Sequence, residues 1–334
     1  MRSRLLLVLL IAAVSAYPQS GPKIVVDGPP QVANELKSVA PNARIVAASG
    51  PELMKEMADA EILFGAARPD VVKAAPNLKW VQTQSAGVEY ADFDDLTRRN
   101  IVLTNCKIIQ GPEIADHAMA LLLAMTRNLH IAFRAQANEQ WLRGKIDHPF
   151  IELNEKTGVV IGLGGIGTQI AQRAAGFGMT VYGVDPKDIP MMSFVKGVYP
   201  PDRIDEILPK ADVVFMSAPL TPQTKGVISE ARFQSMKKGS YFVAVSRGGT
   251  YDNYALARLL ASGHIAGAGV DVTEVEPLPE GHPLWKAPNI IITPHIAGQS
   301  DLIGRRRLTI YKENLRRYLA REPMLHIVDK QKRY

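Results

Sequence analysis

The sequence predicts an α/β protein built from two parallel sheets, each covered by helices on both faces. Short apolar strands alternate with helical segments from Lys23 onward and again from Thr157 onward, and such alternation is typical of parallel sheets. The chain has 334 residues, of which 46% are hydrophobic and 22% charged, so it is long enough for two cores. We therefore expect a smaller α/β domain followed by a larger, doubly wound one.

The clearest local pattern is a glycine-rich turn between a strand and a helix. The apolar run Val159 to Ile161 stops at Gly162-Leu163-Gly164-Gly165-Ile166-Gly167, and apolar residues at helical spacing follow. In such a turn Gly162 permits the tight bend, Gly164 lets a diphosphate approach the backbone, and Gly167 lets helix and strand pack closely. The helix N-terminus adds unpaired N–H groups. The pattern predicts a dinucleotide-binding turn, and a purely structural glycine turn is the alternative.

An acidic residue follows this turn at a suggestive distance. The next predicted strand, Thr180 to Val184, leads directly into Asp185, 18 residues after Gly167. A carboxylate near this spacing accepts hydrogen bonds from the hydroxyls of an adenosine ribose. Its charge would repel a 2′-phosphate, so NAD is favoured over NADP as the cofactor.

Three polar residues stand just beyond predicted strands of the second half: Arg247, Glu276 and His295. The strands of this half predict a six-stranded doubly wound sheet, and strand ends meet at its ligand crevice. Arginine binds a carboxylate through two hydrogen bonds, and histidine exchanges a proton near neutral pH when a carboxylate orients it. Each residue alone could be a surface ion-pair partner or an ordinary loop residue. Beside a dinucleotide turn, the three together predict a catalytic site.

The first half predicts five short strands and contains no glycine-rich phosphate loop. The loop Thr83 to Val88 directly follows the strand Leu78 to Gln82, and its small residues leave backbone N–H groups accessible to an anion. On these residues alone, an ordinary connecting loop is an equal alternative. A strongly amphipathic helix, Pro112 to Arg127, is expected to bridge the two halves.

The first 16 residues form a separate segment. Arg2 and Arg4 precede the apolar run Leu5 to Val14, and the small residues that end at Ala16 are typical of a signal-peptide cleavage site. We therefore expect export to the periplasm or the outside, without membrane contact after cleavage. The alternatives are a cytoplasmic protein with a mis-assigned start and a segment that stays attached as an uncleaved anchor.

The rest of the composition excludes several partners. Without Arg2 and Arg4 the 39 basic residues fall to 37 against 33 acidic ones, so the mature chain carries a net charge of +4. This mild excess, without a basic run, gives no support for nucleic-acid binding. The single cysteine, Cys106, excludes an intramolecular disulfide and has no partner for a metal site.

Together these motifs resemble the D-isomer-specific 2-hydroxyacid dehydrogenase family. The resemblance extends from about Lys23 to Ile327 and is densest between Gly158 and Gly298. Besides the glycine turn, the acid that follows it and the three polar loops, it rests on Ala218-Pro219-Leu220-Thr221-Pro222-Gln223-Thr224 and His282-Pro283-Leu284-Trp285.

The resemblance implies a Rossmann domain that binds NAD and a smaller, flavodoxin-like domain that binds the substrate. It implies that Arg247 holds the substrate carboxylate and carbonyl, that His295 is the acid/base, and that Glu276 holds the histidine. Backbone contacts to the carboxylate are implied for Ser85, Ala86 and Gly87. Further positions that match the family's NAD contacts are Gly165, Ile166, Asp185, Ala218, Pro219, Thr224, Val245 and Asp271, the last near the nicotinamide carboxamide.

The same resemblance implies a domain order and an activity. The last segment returns to the first lobe, so we expect a signal peptide at 1–16, a discontinuous outer domain at 22–127 and 299–327, and an NAD-binding domain at 128–298. The implied reaction is hydride transfer between NAD(H) and C2 of a small D-2-hydroxy or 2-oxo acid, and the implied assembly is a homodimer. The alternative function is an NAD-sensing, partner-binding protein. A formate dehydrogenase is disfavoured because that branch has Gln where this chain has Glu276.

Overall fold

The computed structural model describes residues 21–190 and 192–334, and two all-parallel sheets organise them. The predicted α/β class with a larger and a smaller sheet is therefore confirmed. The predicted signal peptide at 1–16 lies outside the described residues and stays a prediction.

The smaller sheet has five strands, in the order β2-β1-β3-β4-β5. This is the flavodoxin-like order that the resemblance implied. Its central strands are mostly apolar and buried because helices cover both faces. The strands are β1 Lys23–Asp27, β2 Arg44–Ala48, β3 Ile62–Phe64, β4 Trp80–Gln82 and β5 Val102–Thr104, and the helices between them are α1 Pro30–Lys37, α2 Gly50–Glu56, α3 Pro69–Lys73 and α4 Phe93–Arg98.

The larger sheet has seven strands, in the order β12-β11-β10-β9-β6-β7-β8. The predicted number, six, is wrong because the edge strand β8 is half-exposed and has no buried apolar run that a sequence pattern would reveal. The strands are β6 Thr157–Ile161, β7 Thr180–Val184, β8 Gly197–Tyr199, β9 Val213–Met216, β10 Ser240–Ala244, β11 Ile265–Val270 and β12 Ile290–Ile292. The helices are α5 Gly111–Thr126, α6 Leu129–Ala137, α7 Gly165–Gly176, α8 Ile204–Ile207, α9 Glu230–Ser235, α10 Asn253–Ala261 and α11 Ile303–Ala320.

Helix α11 carries the chain back to the smaller sheet. Tyr311 and Leu315 are buried in the same cluster as Phe64 and Trp80, and the rings of Phe64 and Tyr311 lie 4.9 Å apart. Farther along, Ile327 forms an antiparallel bridge with β5. The carboxyl-terminal segment therefore packs with the first lobe.

Helix α5 packs with the larger sheet. Its apolar residues share a buried cluster with Val160 of β6 and Ile170 of α7, and Gly111 lies directly against Gly165. The predicted division between 127 and 128 instead grouped α5 with the outer domain. The helix has small residues, Ala115 and Ala118, on its buried face, which let it lie close to the larger sheet.

None of the helices in the two described ranges combines the length and the hydropathy that a bilayer-spanning segment requires.

Candidate active site

The glycine turn lies where the strand order of the larger sheet reverses. β6 has β9 on one side and β7 on the other, so the turn after β6 occupies the switch point at which doubly wound sheets bind ligands. Gly162 has a φ of +91°, and a Cβ there would lie 2.7 Å from the Ala218 backbone. A Cβ at Gly167 would overlap the Gly162 carbonyl oxygen, whereas nothing lies within 4 Å of the position that a Cβ of Gly164 would take. Two glycines are therefore needed for packing, and the third leaves space for a ligand.

Asp185 stands beside this turn at the end of β7. Its Oδ2 accepts a hydrogen bond of 2.8 Å from the Leu163 amide, and its Oδ1 accepts one of 2.9 Å from the Lys187 amide. A carboxylate has about four lone-pair sites, so both oxygens keep capacity for ribose hydroxyls. The turn and Asp185 together fit NAD: the open space at Gly164, at the start of α7, would admit the diphosphate, and Asp185 would accept hydrogen bonds from the adenosine ribose.

The other predicted cofactor residues surround the same switch point. Ala218 and Pro219 follow β9, and Thr224 shapes that loop because its hydroxyl accepts a 2.8 Å hydrogen bond from the Thr221 amide. Gly165 and Ile166 form the first turn of α7, and Val245 is buried just after β10. Their contacts with NAD stay predictions.

Glu276 and His295 form a direct pair. The Glu276 Oε2 lies 2.7 Å from the His295 Nδ1, while the Glu276 Oε1 accepts a 3.1 Å hydrogen bond from the Thr273 amide. An ionised carboxylate only accepts, so Nδ1 carries the proton of the pair and Nε2 is the nitrogen left for a substrate. The side chains of His295 and Glu276 are 45% and 37% exposed, so a ligand can reach them.

Asp271 anchors the loop that carries His295. His295 has a left-handed backbone with a φ of +53°, and its amide donates to the Asp271 carbonyl at 2.9 Å. The buried Asp271 carboxylate accepts hydrogen bonds from Thr293 Oγ1 at 2.6 Å, the Ile296 amide at 3.0 Å and the Ala297 amide at 2.9 Å. These bonds hold a conformation that costs a non-glycine residue about 1–2 kcal/mol. The predicted contact of Asp271 with the nicotinamide stays a prediction.

Arg247 lies beside the Glu276 loop and reaches across the cleft. Gly248 packs directly against Thr273, and Asn253 joins the two loops through a 3.0 Å bond to the Gly248 carbonyl and a 3.1 Å bond from the Glu274 amide. The guanidinium itself points to the outer lobe, where its Nε donates to the Glu89 Oε1 at 2.5 Å. The structure thus gathers the loops of the three predicted catalytic residues at one edge of the larger sheet.

The predicted substrate loop on the smaller sheet presents N–H groups. Its carbonyls are already bonded: that of Ser85 to the Cys106 amide at 3.0 Å, that of Ala86 to the Asn105 side chain at 2.7 Å, and that of Gly87 to the Ser85 hydroxyl at 2.7 Å. Within 21–190 and 192–334, the amides of Ala86 and Gly87 have no acceptor. Unpaired amides of this kind suit a carboxylate, which favours the anion-binding alternative over an ordinary loop.

Several residues of this region have no signal that a sequence pattern could use. His117 of α5 contributes its Nε2, which lies 2.9 Å from Thr293 Oγ1, and the Tyr251 hydroxyl donates to the Val272 carbonyl at 2.7 Å. Burial, helped by the charge of Glu276, raises the pKa of Tyr251, so its phenol stays protonated as a donor. Thr293 differs from these two residues: it is a polar residue that directly follows β12, and such positions can be identified from a sequence.

Cys106 is the one cysteine of the chain, and it is buried. Burial raises the pKa of Cys106 to about 12, which keeps the thiol protonated at neutral pH. Within the two described ranges, no group of three or more His, Cys, Asp or Glu side chains is placed to hold a metal ion.

The chain matches the family model described as D-isomer specific 2-hydroxyacid dehydrogenase, NAD binding domain, over residues 119–297. It is 33% identical over 298 residues to a glyoxylate reductase of Thermofilum pendens, covering 85% of each chain. It is also 33% identical over 282 residues to a D-3-phosphoglycerate dehydrogenase of Methanocaldococcus jannaschii, covering 83% of this chain but only 53% of that one. The chain thus spans about half the length of that relative.

A solved structure agrees with these similarities. The NAD-dependent formate dehydrogenase of Staphylococcus aureus, in complex with NAD, superposes with a TM-score of 0.77 at 27% identity, over 92% of this chain and 99% of that one. The family model covers more than half of the 334 residues, and the first relative matches over most of both chains. The chain therefore belongs to the D-isomer specific 2-hydroxyacid dehydrogenase family, as an NAD-dependent enzyme that interconverts 2-hydroxy and 2-oxo acids.

Proposed function

We propose that this enzyme reduces small 2-oxo acids, of which glyoxylate and hydroxypyruvate are the leading candidates, to D-2-hydroxy acids with NADH. The observation that carries the proposal is the His295–Glu276 pair, which lies on the same edge of the larger sheet as Arg247, the residue that contacts the outer loop with its unpaired amides. A 2-oxo acid needs these groups: an anion site for its carboxylate and a proton donor for its carbonyl oxygen.

The proposed roles follow from the chemistry of each side chain. Arg247 binds the carboxylate as a permanent cation, and the amides of Ala86 and Gly87 add neutral donors from the opposite lobe. His295 donates a proton from Nε2 to the carbonyl oxygen at C2, and Glu276 stabilises the imidazolium and fixes the ring. When bound, NADH supplies the hydride. Between the two lobes the substrate is shielded from water while the proton moves.

The closeness of the lobes supports a small substrate. A Cβ at Gly87 would overlap the Arg247 Nη2, so the two walls are nearly in contact at the anion site. The name of the Thermofilum pendens relative agrees with a two-carbon acid. The name of the Methanocaldococcus jannaschii relative suggests a larger, phosphorylated acid, which makes substrate size the question to test.

A substrate panel tests the proposal. Purified protein is mixed with NADH and glyoxylate, hydroxypyruvate, pyruvate, a branched 2-oxo acid or 3-phosphohydroxypyruvate, and the loss of NADH absorbance is followed. A formate assay with NAD⁺ is the control for formate oxidation, the activity in the name of the Staphylococcus aureus neighbour. We expect the highest kcat/KM with glyoxylate or hydroxypyruvate. Absence of turnover with every 2-oxo acid would reject the proposal, and preference for the phosphorylated acid would reject its substrate class.

The proposal includes a homodimer assembled through an exposed apolar surface near α6. Trp141, which is 84% exposed, and Phe150 border a hollow of about 780 Å³, and Phe133 of α6 is 63% exposed. Large aromatic side chains exposed together on a soluble protein mark interaction surfaces. The variant Trp141→Glu is expected to shift the mass in light scattering from dimer to monomer, whereas the control Tyr254→Glu, at an exposed position of α10, leaves it unchanged. A wild-type monomer would contradict this assembly.

We also propose that the protein is located outside the cytoplasm. This proposal rests on the signal-like segment that ends at Ala16. The test is the mass of the protein secreted or released from the periplasm when the full chain is expressed. A mature protein that begins after Ala16 supports export. A cytoplasmic product that retains the segment would instead support a mis-assigned start.

A further inference from the structure

The predicted substrate arginine already has a carboxylate partner from the opposite lobe. The Arg247 Nε donates to the Glu89 Oε1 at 2.5 Å, and the two side chains are 27% and 36% exposed. Glu89 belongs to the loop that also presents the unpaired amides of Ala86 and Gly87. An acidic side chain of the protein therefore occupies the anion site.

The guanidinium uses two of its five N–H donors within the protein, one to Glu89 and one to the backbone. Its Nη1 donates to the Ser246 carbonyl at 2.7 Å, and its Nη2 lies against Gly87. A Cβ placed on Gly87 would also lie 2.6 Å from the Glu89 Oε2, so the Glu89 carboxylate lies at the edge formed by Nε and Nη2, with Nε as the nitrogen that donates to it. That edge carries two parallel donors and is the one with which arginine binds carboxylates bidentately.

Hydrogen bonds hold the chain on both sides of Glu89. The Tyr90 hydroxyl lies 2.9 Å from Thr83 Oγ1, and the Ala86 carbonyl accepts from Asn105 at 2.7 Å. A side-chain rotation can therefore take the Glu89 carboxylate off the guanidinium while its Cα stays at the rim of the cleft.

We propose that Glu89 is an internal competitor for the substrate carboxylate and a specificity determinant of the site. Without substrate it neutralises Arg247. A 2-oxo acid displaces it, and its negative charge, retained at the rim, disfavours any substrate that carries a second anionic group. This inference rests on the proposed function for its choice of substrates, and it predicts monocarboxylic 2-oxo acids over dicarboxylic and phosphorylated ones.

The change in anion affinity on removal of the Glu89 charge separates this role from that of a residue that merely orients Arg247. Loss of an orienting carboxylate would weaken anion binding, whereas loss of a competitor strengthens it. Ion pairs with this degree of exposure contribute modestly, so the gain on removal is expected to be roughly 2- to 5-fold in affinity. A dianionic substrate is also freed from repulsion between Glu89 and its second anionic group, so its total gain in affinity is expected to be about 10-fold.

The test compares Glu89→Gln with wild type and with Asp94→Asn, which removes an exposed carboxylate of the same lobe. Oxamate, an unreactive analogue of a 2-oxo acid, is titrated into the NADH complex by calorimetry, and the Michaelis constants are measured with glyoxylate and with the dicarboxylic acid 2-oxoglutarate. We expect Glu89→Gln to lower the oxamate Kd about 2- to 5-fold. The same variant should lower the Michaelis constant by a larger factor with the dicarboxylic acid than with glyoxylate, and Asp94→Asn should change neither quantity. Oxamate affinity in Glu89→Gln that is equal to or weaker than wild type would overturn the proposal.

The oxamate titration needs no turnover, so it separates the two hypotheses. A wild-type protein that reduces no 2-oxo acid rejects the proposed function, and the oxamate affinities still report on Glu89. If Glu89→Gln unfolds, Glu89→Asp serves in its place. The shorter side chain draws the carboxylate back from Arg247, and tighter oxamate binding than wild type is again the supporting result.

Discussion

The two sheets build their halves of the cleft in different ways. On the larger sheet, the glycines of the cofactor turn pack on each other within one short segment, as Gly167 does on Gly162, although Asp185 and Ala218 also contact the turn. On the smaller sheet, the loop takes its shape from Asn105 and Cys106 of a later segment, and its charged partner Arg247 lies 158 residues from Glu89. Packing within one turn leaves a local sequence pattern. Contacts between lobes leave none.

The largest expected effect concerns the acid/base group of the larger sheet. His295→Ala removes the only proton donor assigned to the carbonyl oxygen, so kcat with glyoxylate should fall about 10²- to 10⁴-fold. The Kd of NADH, measured by fluorescence titration, should stay within about 2-fold because the cofactor residues lie on other strands. Undiminished turnover would show that another group supplies the proton. The control His264→Ala, on a distant turn, should retain full activity.

The glycine turn allows a sharper test, because two of its glycines have opposite surroundings. Gly164→Ala adds a Cβ in open space, so the melting temperature should not change, while the NADH Kd should rise roughly tenfold to hundredfold from a clash with the diphosphate. Gly167→Ala places a Cβ on the Gly162 carbonyl and should instead lose about 1–3 kcal/mol of stability.

Gly176→Ala is the matched control, since it too meets no atom within 4 Å. Equal effects on stability for Gly164→Ala and Gly167→Ala would contradict the distinction between a ligand glycine and a packing glycine.

A smaller effect is expected at the acid beside the turn. Asp185→Ser keeps an acceptor for the Leu163 amide but removes the charge that faces the ribose, so the NADH Kd should rise about 10-fold. The NADPH Kd should fall, because the repulsion of its 2′-phosphate is gone. The ratio of the two constants is the measurement. An unchanged ratio would show that Asp185 serves only to hold the turn.

The smallest effect belongs to the outer loop. Asn105→Ala removes the hydrogen bond to the Ala86 carbonyl, a contact worth about 0.5–1.5 kcal/mol, and should raise the KM for glyoxylate about 2- to 10-fold with little change in kcat. Asn138→Ala, at an exposed position, is the control. A fall in kcat without a change in KM would mean that the loop takes part in the chemical step rather than in binding.

The two halves of the cleft, one from each sheet, also differ in how far the sequence predicts them. The glycine turn, Asp185 and the three polar loops were accessible because each is a short pattern at the end of a strand. The strand β8 was not, because an edge strand with half-exposed residues has no apolar signature. The packing of α5 on the larger sheet depends on which of two sheets its apolar face meets, and its periodicity is the same in either case.

The pairing of charged groups in the cleft is also only partly predictable from the sequence. The pairing of Glu276 with His295 follows from two neighbouring strand ends, so a sheet topology is sufficient to anticipate it. The partners of Asp271 do not follow from its position, since three donors from the His295 loop occupy its oxygens. The contact between Glu89 and Arg247 depends on how closely the two lobes approach, which no local pattern specifies.

The central claim is that His295 and Arg247 hold a 2-oxo acid with one face toward the nicotinamide, and the configuration of the product tests it most directly. The protein is incubated with NADH and hydroxypyruvate, and the glycerate formed is resolved by chiral chromatography. We expect D-glycerate from the wild type and almost none from His295→Ala. Formation of L-glycerate, or equal D-glycerate from both proteins, would contradict it.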